Sequence, residues 1–208
     1  MKTRLVIDVS DLPHHEFDTY DPVWWGNNFL LAIESSMFAL LIAAYFYLRQ
    51  NFPQWPPPVA QLTAPINPLP DLGFGTANTA LLLLSLIPVV TVDIAARRGN
   101  RRRTQVGLTI CLLCGLGAII LRSFEFSAIK FYWDSNAYGS IVWFILGMHM
   151  LHLITLSCET LLLTIWSFAR EFDMKHRVDM VTLAVYWYWV VGVWLVLYSI
   201  VYFTPRFA

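Results

Sequence analysis

Five long, nearly uncharged stretches limit what this chain can fold into. Asn28 to Leu48 holds one charge, Glu34, and Leu72 to Thr91 holds none. Gln105 to Leu121 holds none either, and the apolar character resumes beyond Arg122 and Glu125. Tyr138 to Phe168, the longest stretch, holds one formal charge, Glu159, and Met180 to Phe203 holds none. A helix needs about 20 mostly apolar residues to cross the hydrocarbon core of a bilayer, and each stretch approaches or exceeds that length. The pattern predicts an all-α fold: an integral membrane bundle of five transmembrane helices at about 28–48, 72–95, 105–128, 138–168 and 180–203. The fourth is long enough to tilt or to project beyond the membrane. Strands of a membrane barrel would run for about 10 residues and alternate in polarity; these runs are longer and continuous.

Composition removes the other classes. Of 208 residues 57% are apolar and 13% are charged, about half the charged share of a soluble domain. A disordered chain would carry little apolar content and a large net charge. A nucleic-acid partner calls for a basic excess, but 14 basic residues balance 14 acidic ones. Three cysteines are too few for a disulfide-built secreted domain.

The segment from Met1 to Pro22 is polar and acidic, with no apolar stretch of signal length. The chain divides into an N-terminal tail, 1–23, and a membrane domain, 24–208. One set of connections holds Lys2, Arg4, Arg97, Arg98, Arg101, Arg102, Arg103, Arg170, Lys175 and Arg177. The other holds Arg49, Lys130 and Arg206, with Arg122 near its membrane edge. The positive-inside bias predicts a cytoplasmic N-terminus and an outward C-terminus. The seven prolines between Pro53 and Pro70 predict an extended outer linker.

Ionisable groups at membrane depth are costly unless paired or neutral. Glu34 has no basic neighbour in sequence. It reads either as a protonated acid bonded to a neighbouring helix or as a proton-handling or lipid-contacting carboxylate. His149 or Thr155 is its expected partner. Arg122 and Glu125, three apart, share a helix face as a possible ion pair. His149 and His152 share a face too, half of a metal site at most, and interhelical hydrogen bonding is the commoner role. Glu159 falls seven residues beyond His152 on nearly the same face. Cys111 and Cys114 read as small core residues. Two membrane-depth histidines on one helix cannot clamp a haem from both sides, and no Cys-x-x-Cys-His occurs. No metal site and no catalytic residue is expected. Trp24, Trp25, Arg97 and Arg98 are candidates for lipid headgroups, as interfacial aromatic and basic residues.

Several blocks, taken in order, resemble subunit III of the haem–copper oxidases. Trp25-Gly26, then Glu34 and Met37-Phe38-Ala39, is similar to that family's W-G…S-E-x-M-F-F-A helix, with Ile33 where Ser is usual. Asn78-Thr79 to Ser85 resembles N-T-x-L-L-L-x-S, and Glu125-Phe126 stands where the family has Glu-Tyr. Tyr138-Gly139-Ser140, then Gly147-x-His149-x-x-His152, is similar to Y-G-S…G-x-H-x-x-H. Tyr186 to Trp194, then Tyr202, resembles Y-W-H-F-x-D-x-V-W…Y, with Tyr188 and Val191 replacing its His and Asp. Arg122 replaces a usual Gln, and Glu159 has no counterpart. The resemblance spans about Trp24 to Tyr202 and corresponds to the last five of the family's seven helices.

The resemblance implies a support subunit without redox centre or cofactor of its own, in a complex whose other subunits hold haem and copper and reduce dioxygen. It implies subunit I as direct neighbour, subunit II in the same complex, phospholipid bound between helices, support of proton uptake, and residence in the cell (inner) membrane. Glu34 matches the family's carbodiimide-reactive carboxylate. A quinol oxidase subunit, an accessory protein of nitric oxide reductase and a small transporter are the alternatives. A transporter would want inverted repeats or broken helices, and only Pro88 interrupts a span.

Overall fold

The computed structural model describes residues 21–57, 69–169 and 177–207. The tail over 1–20, most of the proline-rich linker, and Arg170 and Lys175 lie outside the described residues. Five helices follow one another: α1 (Pro22–Gln50), α2 (Leu72–Arg97), α3 (Arg101–Ala128), α4 (Ala137–Ala169) and α5 (Arg177–Tyr198). A π-helical turn, Ser199–Phe203, and a 3-10 turn, Thr204–Arg206, extend the last. Each helix is long and apolar enough to cross a membrane, α5 together with its extension. The described residues contain no strand.

Polar caps set the helix starts, so the helices outrun the apolar stretches. The Asp21 carboxylate accepts from the Val23 amide at 2.8 Å, and Pro22 opens α1 well before the apolar run. Asn100 accepts from the Arg103 amide at 3.2 Å and starts α3 at Arg101, a full turn earlier than the apolar run implied.

Successive helices run antiparallel. The starts of α1, α3 and α5 therefore share one end with the finishes of α2 and α4. At that end the Gln105 side-chain amide donates to the Ser167 carbonyl at 2.8 Å. At the other end Asn136 donates to the Pro57 carbonyl at 3.0 Å, and Arg206 to that of Pro70 at 2.6 Å. Helix α5 packs against α1, α2 and α4, while α3 lies between α2 and α4. Small residues let α2 and α3 approach closely: a Cβ on Gly107 would meet the Val92 side chain at 2.5 Å. Cys111, Gly115 and Ala118 continue the same buried face. On α1 the buried positions Leu31, Phe38 and Tyr45 repeat at heptad spacing.

Outward-facing positions are apolar. Leu40, Leu84, Leu113, Leu162 and Val196 are exposed on five different helices. Exposed apolar surface on that scale fits hydrocarbon rather than water, and the molecule is a membrane protein.

Candidate functional site

Five of the polar residues singled out in the sequence, Glu34, Arg122, Glu125, His149 and His152, gather into two clusters between helices, with an aromatic lock at the linker end. The first joins α1, α4 and α5. Glu34 Oε2 lies 3.2 Å from His152 Nε2, and His152 Nδ1 lies 2.7 Å from the Met148 carbonyl. A carbonyl only accepts, so Nδ1 carries a proton. The second ring nitrogen, Nε2, is left to face the Glu34 carboxyl. Phe38 and Trp189 flank the His152 ring at centroid distances of 5.1 and 5.3 Å. Trp189 is fixed in turn, its indole N–H donating to Ser35 Oγ at 2.8 Å. The His152 side chain is 9% exposed and that of Glu34 is 29% exposed, so the acid is reachable from the flank of α1.

This corrects the expected partner of Glu34. Thr155 bonds back to the Leu151 carbonyl at 3.0 Å, and His149 belongs to the second cluster. The two imidazoles are one short turn apart, about 4.5 Å along the axis, and each is committed to a different neighbour.

The second cluster joins α3, α4 and α5. Arg122 Nη1 lies 2.9 and 2.8 Å from the two Glu125 oxygens, with both residues buried. Arg122 Nη2 lies 3.2 Å from His149 Nδ1, and His149 Nε2 lies 3.2 Å from the Val190 carbonyl. A guanidinium only donates, so Nδ1 accepts and the proton of His149 sits on Nε2. The Trp194 ring covers the guanidinium, 3.7 Å from carbon to centroid. The Tyr202 hydroxyl donates to Glu125. Gly75 makes room for it, since a Cβ there would stand 2.5 Å from the Tyr202 ring.

Helix α2 supplies acceptors for the indoles of α5. Trp194 donates to Thr79 Oγ1 at 2.8 Å and Trp187 to Ser85 Oγ at 2.9 Å. Beside Thr79, Asn78 is fully buried and neither of its side-chain polar atoms has a protein partner.

The Tyr138-Gly139-Ser140 block locks the linker end of the bundle. Tyr138 is fully buried beside Tyr45, Trp55 and Phe131. A Cβ on Gly139 would meet the Tyr132 carbonyl at 2.4 Å. Ser140 donates to the Trp133 carbonyl at 2.6 Å.

The remaining candidates separate. Trp24 and Trp25 sit in the first turn of α1, Trp25 exposed. Arg97 pairs with Asp93 at 3.0 Å, whereas Arg98 turns to a groove between α2 and α3. Glu159 is half-buried on α4, Tyr188 is exposed on α5 and Val191 is buried. Among the described residues no group of three His, Cys, Asp or Glu stands together as a metal site. The sequence did not assign Trp189 to His152, or Trp194 and Tyr202 to the ion pair. Their place in the last block was the only signal.

Comparison with known proteins points to one family. A family model for cytochrome c oxidase subunit III matches residues 5–205. Cytochrome c oxidase subunit 3 of Petromyzon marinus is 30% identical over 201 residues, 95% of this chain and 76% of that protein. The subunit 3 proteins of Oryctolagus cuniculus and Rattus norvegicus are each 31% identical over 148 residues, 71% of this chain. Those alignments cover about half of the two mammalian proteins, 54% of each. With the family model matching nearly the whole chain and a relative 30% identical over 95% of it, the chain belongs to the cytochrome c oxidase subunit III family.

Proposed function

We propose that this chain is the non-redox support subunit of a respiratory haem–copper terminal oxidase. In this reading it lies against subunit I in the cell inner membrane, with subunit II in the same complex, its N-terminus cytoplasmic and its C-terminus outside. It carries no redox centre. Haem and copper reside in its partners, which reduce dioxygen to water. Its own part is to hold the catalytic subunit in a stable arrangement, to retain phospholipid between helices, and to support proton uptake.

The family match over residues 5–205 carries this reading. The disposition of the block residues supports it: Thr79, Ser85, Glu125 and His149 all end on α5 or its extension, as a scaffold requires. Among the described residues, the Glu34–His152 pair joins a carboxyl and an imidazole from different helices, with the acid 29% exposed on the flank of the bundle.

The test is purification through a tag on this chain, followed by a visible spectrum and a subunit inventory. Haem absorbance with a copper-containing catalytic subunit is the expected result. Recovery with the haem protein of a nitric oxide reductase, or with no haem protein at all, overturns it.

A further inference from the structure

A groove of about 490 Å³ runs between the end of α2 and the start of α3. Ile94, Val106 and Ile110 line its floor, and Arg98, Arg102 and Arg103 stand at its mouth. All three arginines are exposed, and among the described residues none forms an ion pair with a carboxylate. The nearby Asp93 is taken by Arg97. The apolar floor continues along α3 through exposed Leu113, Leu116, Ile120 and Phe124, a stripe that runs most of the way across a bilayer. The groove thus begins at a cluster of uncommitted cations and descends into hydrocarbon depth.

We propose that this groove is a binding site for one anionic phospholipid, its phosphate held by Arg98, Arg102 and Arg103 and one acyl chain lying over Ile94, Val106 and Ile110. Charge complementarity chooses the occupant: three guanidinium groups attract an anionic headgroup, the apolar floor suits an acyl chain, and the polar side chains of the lining, Thr91 and Asn100, are already bonded to the Pro88 carbonyl and the Arg103 amide. The proposal deepens the lipid-retaining role given above and rests on it. It also redistributes the basic residues, because Arg102 and Arg103 act here and Arg97 does not.

The test is native mass spectrometry of the full chain, purified with whatever subunits accompany it, titrated with phosphatidylglycerol or phosphatidylcholine. One phosphatidylglycerol should bind per chain in preference to phosphatidylcholine. Arg98→Gln/Arg102→Gln/Arg103→Gln should weaken that binding roughly 100-fold, from the contribution of each basic residue near an anionic surface. Val106→Trp, which fills the groove and keeps the arginines, should abolish it. Equal binding of both lipids, unchanged affinity in the triple variant, or retention in Val106→Trp overturns the site. So does cross-linking of the groove to another polypeptide in the purified assembly. Total phospholipid per complex is counted in the same spectra. If it stays high while this site fails, the general lipid role stands; if no lipid is retained at all, that role falls too.

Discussion

Glu34 on α1 and His152 on α4 meet at 3.2 Å, far apart in sequence, in the one polar contact between side chains of those two helices among the described hydrogen bonds. The Met148 carbonyl fixes the imidazole through Nδ1, so Nε2 is the ring atom that faces the carboxyl.

Glu34→Gln preserves the shape of the acid and leaves an amide that donates to His152 Nε2. In the proposed oxidase complex the variant should assemble and leave most of the initial turnover of the catalytic subunit intact. An apolar carbodiimide should label the unaltered chain at Glu34 and leave the variant unlabelled, read by mass spectrometry. An assembled variant with no initial turnover would make Glu34 essential to the chemistry and remove the support-subunit reading.

Arg122→Ala strands the buried Glu125 carboxylate, at a cost of about 3–5 kcal/mol. Arg122→Met combined with Glu125→Met removes both charges and should recover most of the loss. Thermal denaturation of the purified chain in detergent gives the comparison. A double variant as unstable as Arg122→Ala would show that the pair does more than neutralise itself.

Gly139→Ala sets a methyl against the Tyr132 backbone carbonyl, which has no flexible end to yield. A loss of about 1–3 kcal/mol is expected from the overpacking. Gly147 has open space around its missing Cβ. There Ala should be neutral or stabilising by up to about 1 kcal/mol through helix propensity. Gly139→Ala should lower the melting temperature, and Gly147→Ala should hold or raise it.

Thr79→Val leaves the Trp194 indole N–H without its acceptor. The expected loss is about 0.6–2 kcal/mol, the range for polar contacts between membrane helices. Trp194 also covers Arg122, so the variant should alter the indole fluorescence as well as the melting temperature. Unchanged values in both would make the bond incidental.

Much of the fold was legible because hydrocarbon imposes one rule on every span. Apolar runs fixed the number of helices, and the caps at Asp21 and Asn100 displaced two of their starts. Within one helix the spacing of Arg122 and Glu125 was enough to place them together. Between helices it was not. His149 and His152 present the same periodicity, and nothing local says which turns to α1 and which to α3. That choice depends on where α5 lies. The groove at Arg98 was similarly hidden, since it needs the turn at Gly99, with φ 65°, to bring α3 back alongside α2.

The place of α5 also has a consequence for biosynthesis. It is the last of the five to leave the ribosome, and with its extension it brings Trp194 over Arg122, Tyr202 to Glu125 and the Val190 carbonyl to His149. Until it inserts, the four earlier helices sit in lipid with a charged pair lacking its aromatic cover and an imidazole lacking an acceptor. A nascent chain halted before Arg177 therefore lacks the α5 partners of its buried polar groups. Quality-control proteases would meet it as a half-built bundle, and every partner surface that depends on α5 must wait until that helix has been translated.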